Sequence, residues 1–420
     1  MSLQGPIVVV ADSPVPEVVD SLAGAGAFPI VETEASGFTD AIASIEPAAI
    51  VLADPRTARP AVLEALEELL ADSGPYVPVI ARANGIGTEH IGHVLPVAHD
   101  APVGRLIARL RAALRVRTLH ASVLRRVAAL EEHGDAPAMP TGDPLDDATV
   151  LVCGRGGRYP ALVVAVGERT GLVGALSLES ALQMLRARDI DGLAIGEGFN
   201  RRSVERFIGD LASDPRFRDL PIAVIDDIEG GPDAEQLPNL CVGAGDPTFA
   251  LAHLIPLVRL RAFAARLRRM MASLDAKGML DPDTGLRRSD VFFRDLARAV
   301  GDAEKHGVAL SLARFSLASL TDRRASLDAA RIVARLVRAA DFGCRDRDGT
   351  ILVTFTETDQ RAAHVVARRI ASVLKHTTLA AGHDRRELDP TVTIVAFKSP
   401  DTAQTLLARV SRPDCAVAAG

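Results

Sequence analysis

Tryptophan is absent from this 420-residue chain and tyrosine occurs only twice. Large aromatic clusters are therefore excluded, and the cores must be built from Val, Leu, Ile and Ala in a sequence that is 48% hydrophobic. Cysteine is also scarce. The four present, Cys153, Cys241, Cys344 and Cys415, form no CxxC pair and no Cys/His set at zinc-ligand spacing. Reduced thiols of a cytoplasmic protein are expected instead. No apolar run approaches the roughly 20 residues that span a bilayer. The opening MSLQGPIVVV has neither the basic region nor the long apolar stretch of a secretory leader, so none is expected. The formal net charge is −6, and arginine, although far commoner than lysine, is spread along helices. Composition thus offers no general field for nucleic acid or anionic membrane, and no basic patch or helix-turn-helix supports DNA binding.

A chain of this length suggests two to four domains. Apolar strand candidates at Ile7–Val10, Ile50–Leu52 and Val77–Ile80 alternate with helical patterns, which predicts a doubly wound parallel sheet. The segment closes on a long arginine-rich helix, Val103 to Leu130, with Leu106, Leu110 and Leu114 on one stripe. A Gly/Pro/Asp-rich stretch, His133–Asp147, then breaks the periodicity and reads as a linker. The pattern restarts with strand candidates Val150–Cys153, Gly192–Ile195 and Ile222–Ile225, and ends on a helix near Leu251–Leu274. LIARLRAALRVRTL and HLIPLVRLRAFAARL are alike enough to indicate a tandem duplication. From about Leu280 the order changes to turn, helix, strand, helix, strand hairpin, helix, strand, an α/β sandwich with an antiparallel sheet. The expected boundaries are 1–130, a linker 131–147, 148–275 and 276–420.

The third segment carries a resemblance. LDPDTGLRRS at 280–289 resembles the DxLTGLxNR opening of GGDEF domains, the diguanylate cyclases; Asp281, Thr284, Gly285 and Leu286 match, whereas Arg288 and Ser289 depart. RAADFGCRDRDGTILVTF at 338–355 resembles the RxxD-x(4)-GG(D/E)EF segment, with Arg338 and Asp341 on the RxxD positions and Arg347–Ile351 where GGDEF would stand. TETDQRAAHVVARRIASVL and PTVTIVAF are similar to the following helix and strand. The resemblance spans about 280–415 and implies a degenerate GGDEF domain with a mixed sheet. Cyclase chemistry requires a carboxylate pair to hold metal and a glycine turn for close backbone approach to the nucleotide. Arg314 stands where the first metal carboxylate is expected, and a cation there repels a metal ion. The signature loop keeps one glycine, Gly349, out of register. Asp346 and Asp348 are nearby acids on another register, and the helix–loop that would read guanine is shortened to FSLASLTDRRASLDAAR. The expectation is therefore a protein that is not an enzyme; a cyclase with a rearranged site using Asp346 and Asp348 is the catalytic alternative.

In the resembling family, RxxD is an inhibitory product site that binds cyclic di-GMP. An arginine fork can bond guanine O6 and N7 or a phosphate and stack on a base, and an aspartate can accept from the N1–H and N2–H₂ edge. The expected ligand set is Arg338, Asp341 and Arg369, with Arg335 and Arg345 in reach. The plainer alternative is an ordinary i, i+3 surface ion pair.

The first segment resembles response-regulator receiver domains. VVVADSP at 8–14 sets Asp12 as the metal carboxylate, and IVLADPR at 50–56 sets Asp54 as the phosphoacceptor. The resemblance implies Mg²⁺ there. Arg82 or Ala83 replaces the expected hydroxyl residue, and LPVAHDAP lacks the expected lysine. The second segment has Gly196 at the acceptor position, Glu197 beside it and acids in PIAVIDD where the hydroxyl would be, so an adaptor that cannot be phosphorylated is expected. GRGGR at 154–158 matches no phosphate-loop spacing. Together the resemblances imply two tandem CheY-like receiver domains before a GGDEF domain, as in PleD-type regulators. They further imply a cell-cycle effector, a homodimer paired through the last strand and helix of the receivers, and partners among the adaptors of a ClpXP-type pathway that degrades the replication inhibitor CtrA, at a cell pole.

Overall fold

The computed structural model describes residues 4–54, 57, 59–70, 74–82, 94–131, 139, 141–225, 234–243, 247–276, 278–317, 323–338, 340–375, 390–412 and 416–418. In it the apolar runs become three five-stranded sheets. The chain divides into two units, one of residues 1–128 with 142–267, the other of residues 129–141 with 268–420.

The first unit holds two sheets of one design. The first comprises β1 (Gln4–Val10), β2 (Phe28–Thr33), β3 (Ala49–Leu52), β4 (Val79–Arg82) and β5 (Val94–Val97), all parallel, in the order β2-β1-β3-β4-β5. This is the doubly wound order 2-1-3-4-5. β1 and β3 are buried on both faces, as near-continuous Val/Ile runs predict. Helices α1 (Pro16–Gly24) and α4 (Val103–Glu131) cover one face, and α2 (Phe38–Ser44) and α3 (Pro60–Leu70) the other. The stripe Leu106, Leu110 and Leu114 packs on this same sheet, the intramolecular use of that pattern.

The second sheet comprises β6 (Thr149–Cys153), β7 (Gly171–Ala175), β8 (Gly192–Ile195), β9 (Ile222–Val224) and β10 (Leu240–Val242), in the equivalent order β7-β6-β8-β9-β10. Helices α6 (Leu178–Ala187) and α7 (Arg201–Ser213) pack on one face, and α5 (Tyr159–Gly167) and α8 (Pro247–Asp275) on the other. Ser177 and Asn200 cap α6 and α7 by accepting from the backbone N–H groups of Ser180 and Arg202. The duplication extends to single backbone bonds. Ile50 N–H donates to Pro78 O and Leu193 N–H to Pro221 O, both at 2.9 Å; Ala48 N–H donates to Pro6 O and Asp191 N–H to Thr149 O.

The end of the stretch read as a linker is docked. A short 3₁₀ turn, Pro144–Asp147, is capped by Asp143 and buries Leu145. Arg266 of α8 donates to Asp147 at 2.7 Å and to the carbonyls of Gly142 and Asp143, and both charged side chains are almost fully buried. Arg259 pairs with Asp143 at 2.7 Å.

The second unit carries β11 (Leu310–Ser316), β12 (Phe342–Arg345), β13 (Ile351–Thr356), β14 (Thr391–Ala396) and β15 (Ala416–Ala418), in the order β12-β13-β11-β14-β15. The expected mixed sheet is not found: every ladder among the described strands is antiparallel, and the parallel element is one isolated bridge, Arg287 to Cys344. The cause is the hairpin between β12 and β13, which returns the chain directly without a crossover helix. Helices α10 (Arg323–Leu336) and α11 (Gln360–Lys375) bury one face of the sheet, and α9 (Ser289–His306) and α12 (Ala403–Val410) the other. Among the described residues no helix is long and apolar enough to cross a membrane. Cys153 and Cys344 are buried free thiols, both pushed up to about 12 chiefly by burial, and Cys241 is a partly exposed one; Cys415 lies outside the described residues.

Two outcomes follow. Arg266→Ala should cost about 3–5 kcal/mol in urea unfolding, because it removes the guanidinium that balances the buried Asp147 carboxylate. The backbone N–H of Tyr76 donates to His120 Nδ1 at 3.0 Å, which requires that nitrogen to be unprotonated. Burial and then the neighbouring Arg117 hold the His120 pKa below its usual 6.5. The unfolded chain therefore takes up the proton first, and stability falls as pH drops below about 6.5 until the folded pKa is reached. His120→Gln, which keeps an acceptor, should flatten the fall in melting temperature between about pH 7 and 5.

Candidate ligand site and strand-end crevices

The matched residues of 280–289 form a turn. Asp281 accepts from the Asp283 N–H at 3.2 Å and the Thr284 hydroxyl at 2.5 Å, and Gly285 N–H donates to Asp281 O at 2.8 Å. Gly285 has φ +77°, a conformation that favours glycine, and it swings Leu286 into the core beneath α10. Arg331 of α10, a buried arginine that no motif singles out, fastens this turn by donating to Asp283 O at 2.9 Å.

At the position expected for catalysis, β11 presents Arg314 beside the β12–β13 hairpin. Gly349 (φ +82°) closes that hairpin by donating to Asp346 O. Asp348 accepts from the Thr350 N–H at 2.9 Å, the Thr350 hydroxyl at 2.6 Å and Arg314 Nη2 at 3.0 Å. Burial pushes the Asp348 carboxyl up, but the Thr350 bonds and the Arg314 charge outweigh it, and its pKa lies below the usual carboxylate range. The acid therefore stays charged and is paired with the Arg314 guanidinium. Residues 318–322 of the shortened helix–loop lie outside the described residues.

The RxxD pair lies at the other end of the hairpin. Arg338 Nε donates to Asp341 at 2.7 Å, and Nη2 donates to Thr356 O at 2.7 Å and Thr358 Oγ1 at 2.8 Å. The second oxygen of Asp341 accepts from the Thr356 N–H at 2.9 Å. The Asp341 side chain is 3% exposed and that of Arg338 is 58% exposed. Asp341 is thus an anchor that ties the end of α10 to β13 and orients the guanidinium; its acceptors are turned inward. Thr356 and Thr358, which complete this arrangement, carry no motif and could be found only through the strand pairing.

Arg335 is exposed on the last turn of α10, and Arg369 is exposed on the adjacent α11. Arg345 departs from expectation. It is paired with Ile351 at the far end of β13 and donates to Ser326 near the start of α10. Five residue steps of strand, about 17 Å, separate that end of β13 from Thr356, so Arg345 is not brought to Arg338.

In the first sheet, Asp12 and Asp54 stand two residues beyond the ends of the paired strands β1 and β3. This is the crevice at the carboxyl ends where the strand order reverses. Asp12 accepts from the Ala35 N–H at 3.1 Å and is ion-paired with Arg59. The Asp54 carbonyl holds the Thr57 hydroxyl at 2.6 Å. Arg82, at the end of β4, reaches across to His99 O at 2.9 Å and bridges to the loop where the lysine was expected; Ala83 lies outside the described residues. Among the described residues no three His, Cys, Asp or Glu gather as a metal set. Mg²⁺ fits this arrangement poorly, since it must displace Arg59 from Asp12. In the second sheet, the N–H groups of Arg155 and Gly156 both donate to Glu197 O, and Arg158 pairs with Glu197 at 3.1 Å. GRGGR is therefore bonded to its neighbouring loop and does not cradle an anion. Asp226 and Asp227 lie outside the described residues.

No family model matches the chain, and no curated protein matches it. Solved structures show a slight likeness. The coiled coil and GGDEF domain of DgcB from Caulobacter crescentus, in complex with c-di-GMP, is 16% identical over 34% of this chain and 83% of its own, with TM-score 0.30. A sensory box/GGDEF family protein from Caulobacter crescentus is 21% identical over 31% and 92%, with TM-score 0.28. The FimX GGDEF domain from Pseudomonas aeruginosa is 16% identical over 33% and 90%, with TM-score 0.29. So distant a likeness carries no weight for a shared ligand or activity.

Asp341→Ala should destabilise the second unit by about 1–3 kcal/mol, because the Thr356 N–H and the Arg338 fork lose their acceptor. Urea unfolding followed by circular dichroism reads that loss; an unchanged midpoint would show that Asp341 anchors nothing.

Proposed function

We propose that this chain is a non-catalytic cyclic di-GMP effector of receiver–receiver–GGDEF layout that acts by recruiting protein partners. The observation that carries the loss of catalysis is the Arg314–Asp348 ion pair, 3.0 Å long, where cyclase chemistry would need carboxylates facing a metal ion. A fixed monocation in that position cannot polarise two phosphates or generate a nucleophile as a divalent metal does. Ligand binding is supported by Arg338. Its guanidinium is half exposed, yet pinned on one edge by a buried carboxylate and a strand carbonyl. A pre-oriented fork loses little entropy on meeting a guanine edge or a phosphate. Arg335 and Arg369 add exposed positive charge on α10 and α11. The response-regulator character, the adaptors of a ClpXP-type pathway, the control of CtrA and the polar location rest on the resemblance of the sequence.

One observation favours a second reading, a scaffold that binds no nucleotide. Both carboxylate oxygens of Asp341 are engaged inside the protein, as in a structural ion pair. Calorimetric titration of the whole chain with cyclic di-GMP separates the two. The effector reading expects binding with about two ligands per site and its loss in Arg338→Ala. No heat of binding well above micromolar concentration would leave the scaffold. Incubation with GTP and Mg²⁺ should yield no cyclic di-GMP; product formation would overturn the non-catalytic assignment.

A further inference from the structure

The guanine edge that a cyclic di-GMP effector reads carries two adjacent donors, N1–H and N2–H₂, and a carboxylate is their natural acceptor. Asp341 does not offer one. Its oxygens are taken by Arg338 Nε at 2.7 Å and by the Thr356 N–H at 2.9 Å, and its side chain is 3% exposed. A carboxylate for the ligand at Arg338 therefore comes from another residue.

Among the described residues, Glu357 is the one non-glycine in the left-handed region, with φ +49°. Glutamate lacks the short side chain with which Asn and Asp steady this conformation, so it persists only where the surroundings over-determine it. Both neighbours are tied down. The Thr356 carbonyl accepts from Arg338 Nη2 and from the Thr358 hydroxyl, both at 2.7 Å, and Arg338 Nη2 also donates to Thr358 Oγ1 at 2.8 Å. The Thr358 N–H donates to Ala309 O at 3.2 Å, and Thr358 O accepts from the Ser311 hydroxyl of β11 at 2.9 Å. The backbone thus turns at 357 so that two oxygens converge on one nitrogen of Arg338, and Glu357 is left exposed beside it. Among the described residues its carboxylate has no hydrogen bond and no ion pair. The Arg338 pKa is raised first by the bond to Asp341 and the charge of that residue, and also by the charge of Glu357. Asp359, the next acid, is committed to the start of α11, where it accepts from the Ala362 N–H at 2.7 Å.

We infer that Glu357 is the specificity residue of the Arg338 site, its carboxylate accepting from guanine N1–H and N2–H₂ while Arg338 meets O6 and N7. This rests on the cyclic di-GMP reading proposed above, and it leaves Asp341 to hold Arg338 in place. O6 lies between N7 and N1, so the fork and the carboxylate address adjoining edges of one base. A carboxylate beside the fork repels a phosphate, so the base is the part of the ligand that this site takes. The strained turn is what brings the two side chains to one place.

Calorimetric titration of the full-length chain with cyclic di-GMP and with cyclic di-IMP, which lacks the guanine 2-amino group, tests this. The wild type should bind cyclic di-GMP about tenfold or more tightly than cyclic di-IMP, the effect of one charge-assisted hydrogen bond. Glu357→Gln sets an amide donor against a ring donor. It should lose about tenfold or more in cyclic di-GMP affinity and bring the two ligands within about twofold of each other. Glu357→Gly relieves the positive φ and also removes the carboxylate. It should melt no lower than the wild type and show the same loss, which separates ligand contact from a role in folding. Unchanged affinity and preference in both variants, while Arg338→Ala abolishes binding, would overturn the role of Glu357 and leave the effector reading standing. A wild type that takes both ligands alike would do the same. No binding of cyclic di-GMP to the wild type would overturn both.

Discussion

The first unit depends on one buried guanidinium. Arg109 is 2% exposed and lies between the edge strands of two sheets, where it bonds the Pro96 carbonyl of one half and the Pro238 carbonyl of the other. Both carbonyls lie in or beside short edge strands that have no further strand to pair with. Left dry and unbonded, each would cost more than a typical hydrogen bond contributes. A planar cation with five donors can satisfy acceptors on both sides at once, which a lysine cannot. The apolar stripe of α4 then stays on its own sheet while its opposite face joins the two halves.

The same chemistry recurs at the ends of the sheets. Arg59 is paired with Asp12, Arg158 with Glu197 and Arg314 with Asp348. In each case a carboxylate at a strand end or hairpin is balanced from within the chain. These pairs are partly exposed, so each contributes little to stability. Their effect is on electrostatics: the acids are no longer an unbalanced negative cluster that calls for an external cation. Arg338 differs, because its carboxylate partner is buried and the guanidinium itself faces solvent.

Much of the fold was legible in the sequence where local and global preferences agreed. The long helices, the central strands β1, β3, β6 and β8, and the order of elements after residue 280 follow from continuous apolar runs and helical stripes. Several edge strands of the first two sheets were not legible. β2 contains Pro29 and β5 contains Pro96, residues that weaken a strand assignment and that only an edge position tolerates. β10 is three residues long and has no pattern to read.

For the candidate site, the sequence alone determined which residues are available: an arginine at 314, the RxxD pair, and the absence of a glycine–acid signature. It determined the duplication as well, because periodicity and leucine spacing are local properties. Only the tertiary structure decided how those residues are used. Asp348 reaches Arg314 because an antiparallel hairpin folds it back. Asp341 turns inward because Thr356, 15 residues later, offers an N–H on the neighbouring strand. Arg345 is carried away from Arg338 by the length of β13. The contacts of Arg115 with Asp219 and of Phe263 with Tyr76 likewise depend on how two helices far apart in the chain are placed. Pairings between distant residues are set by packing and hydrogen-bond satisfaction over the whole sheet, which spacing along the chain does not encode.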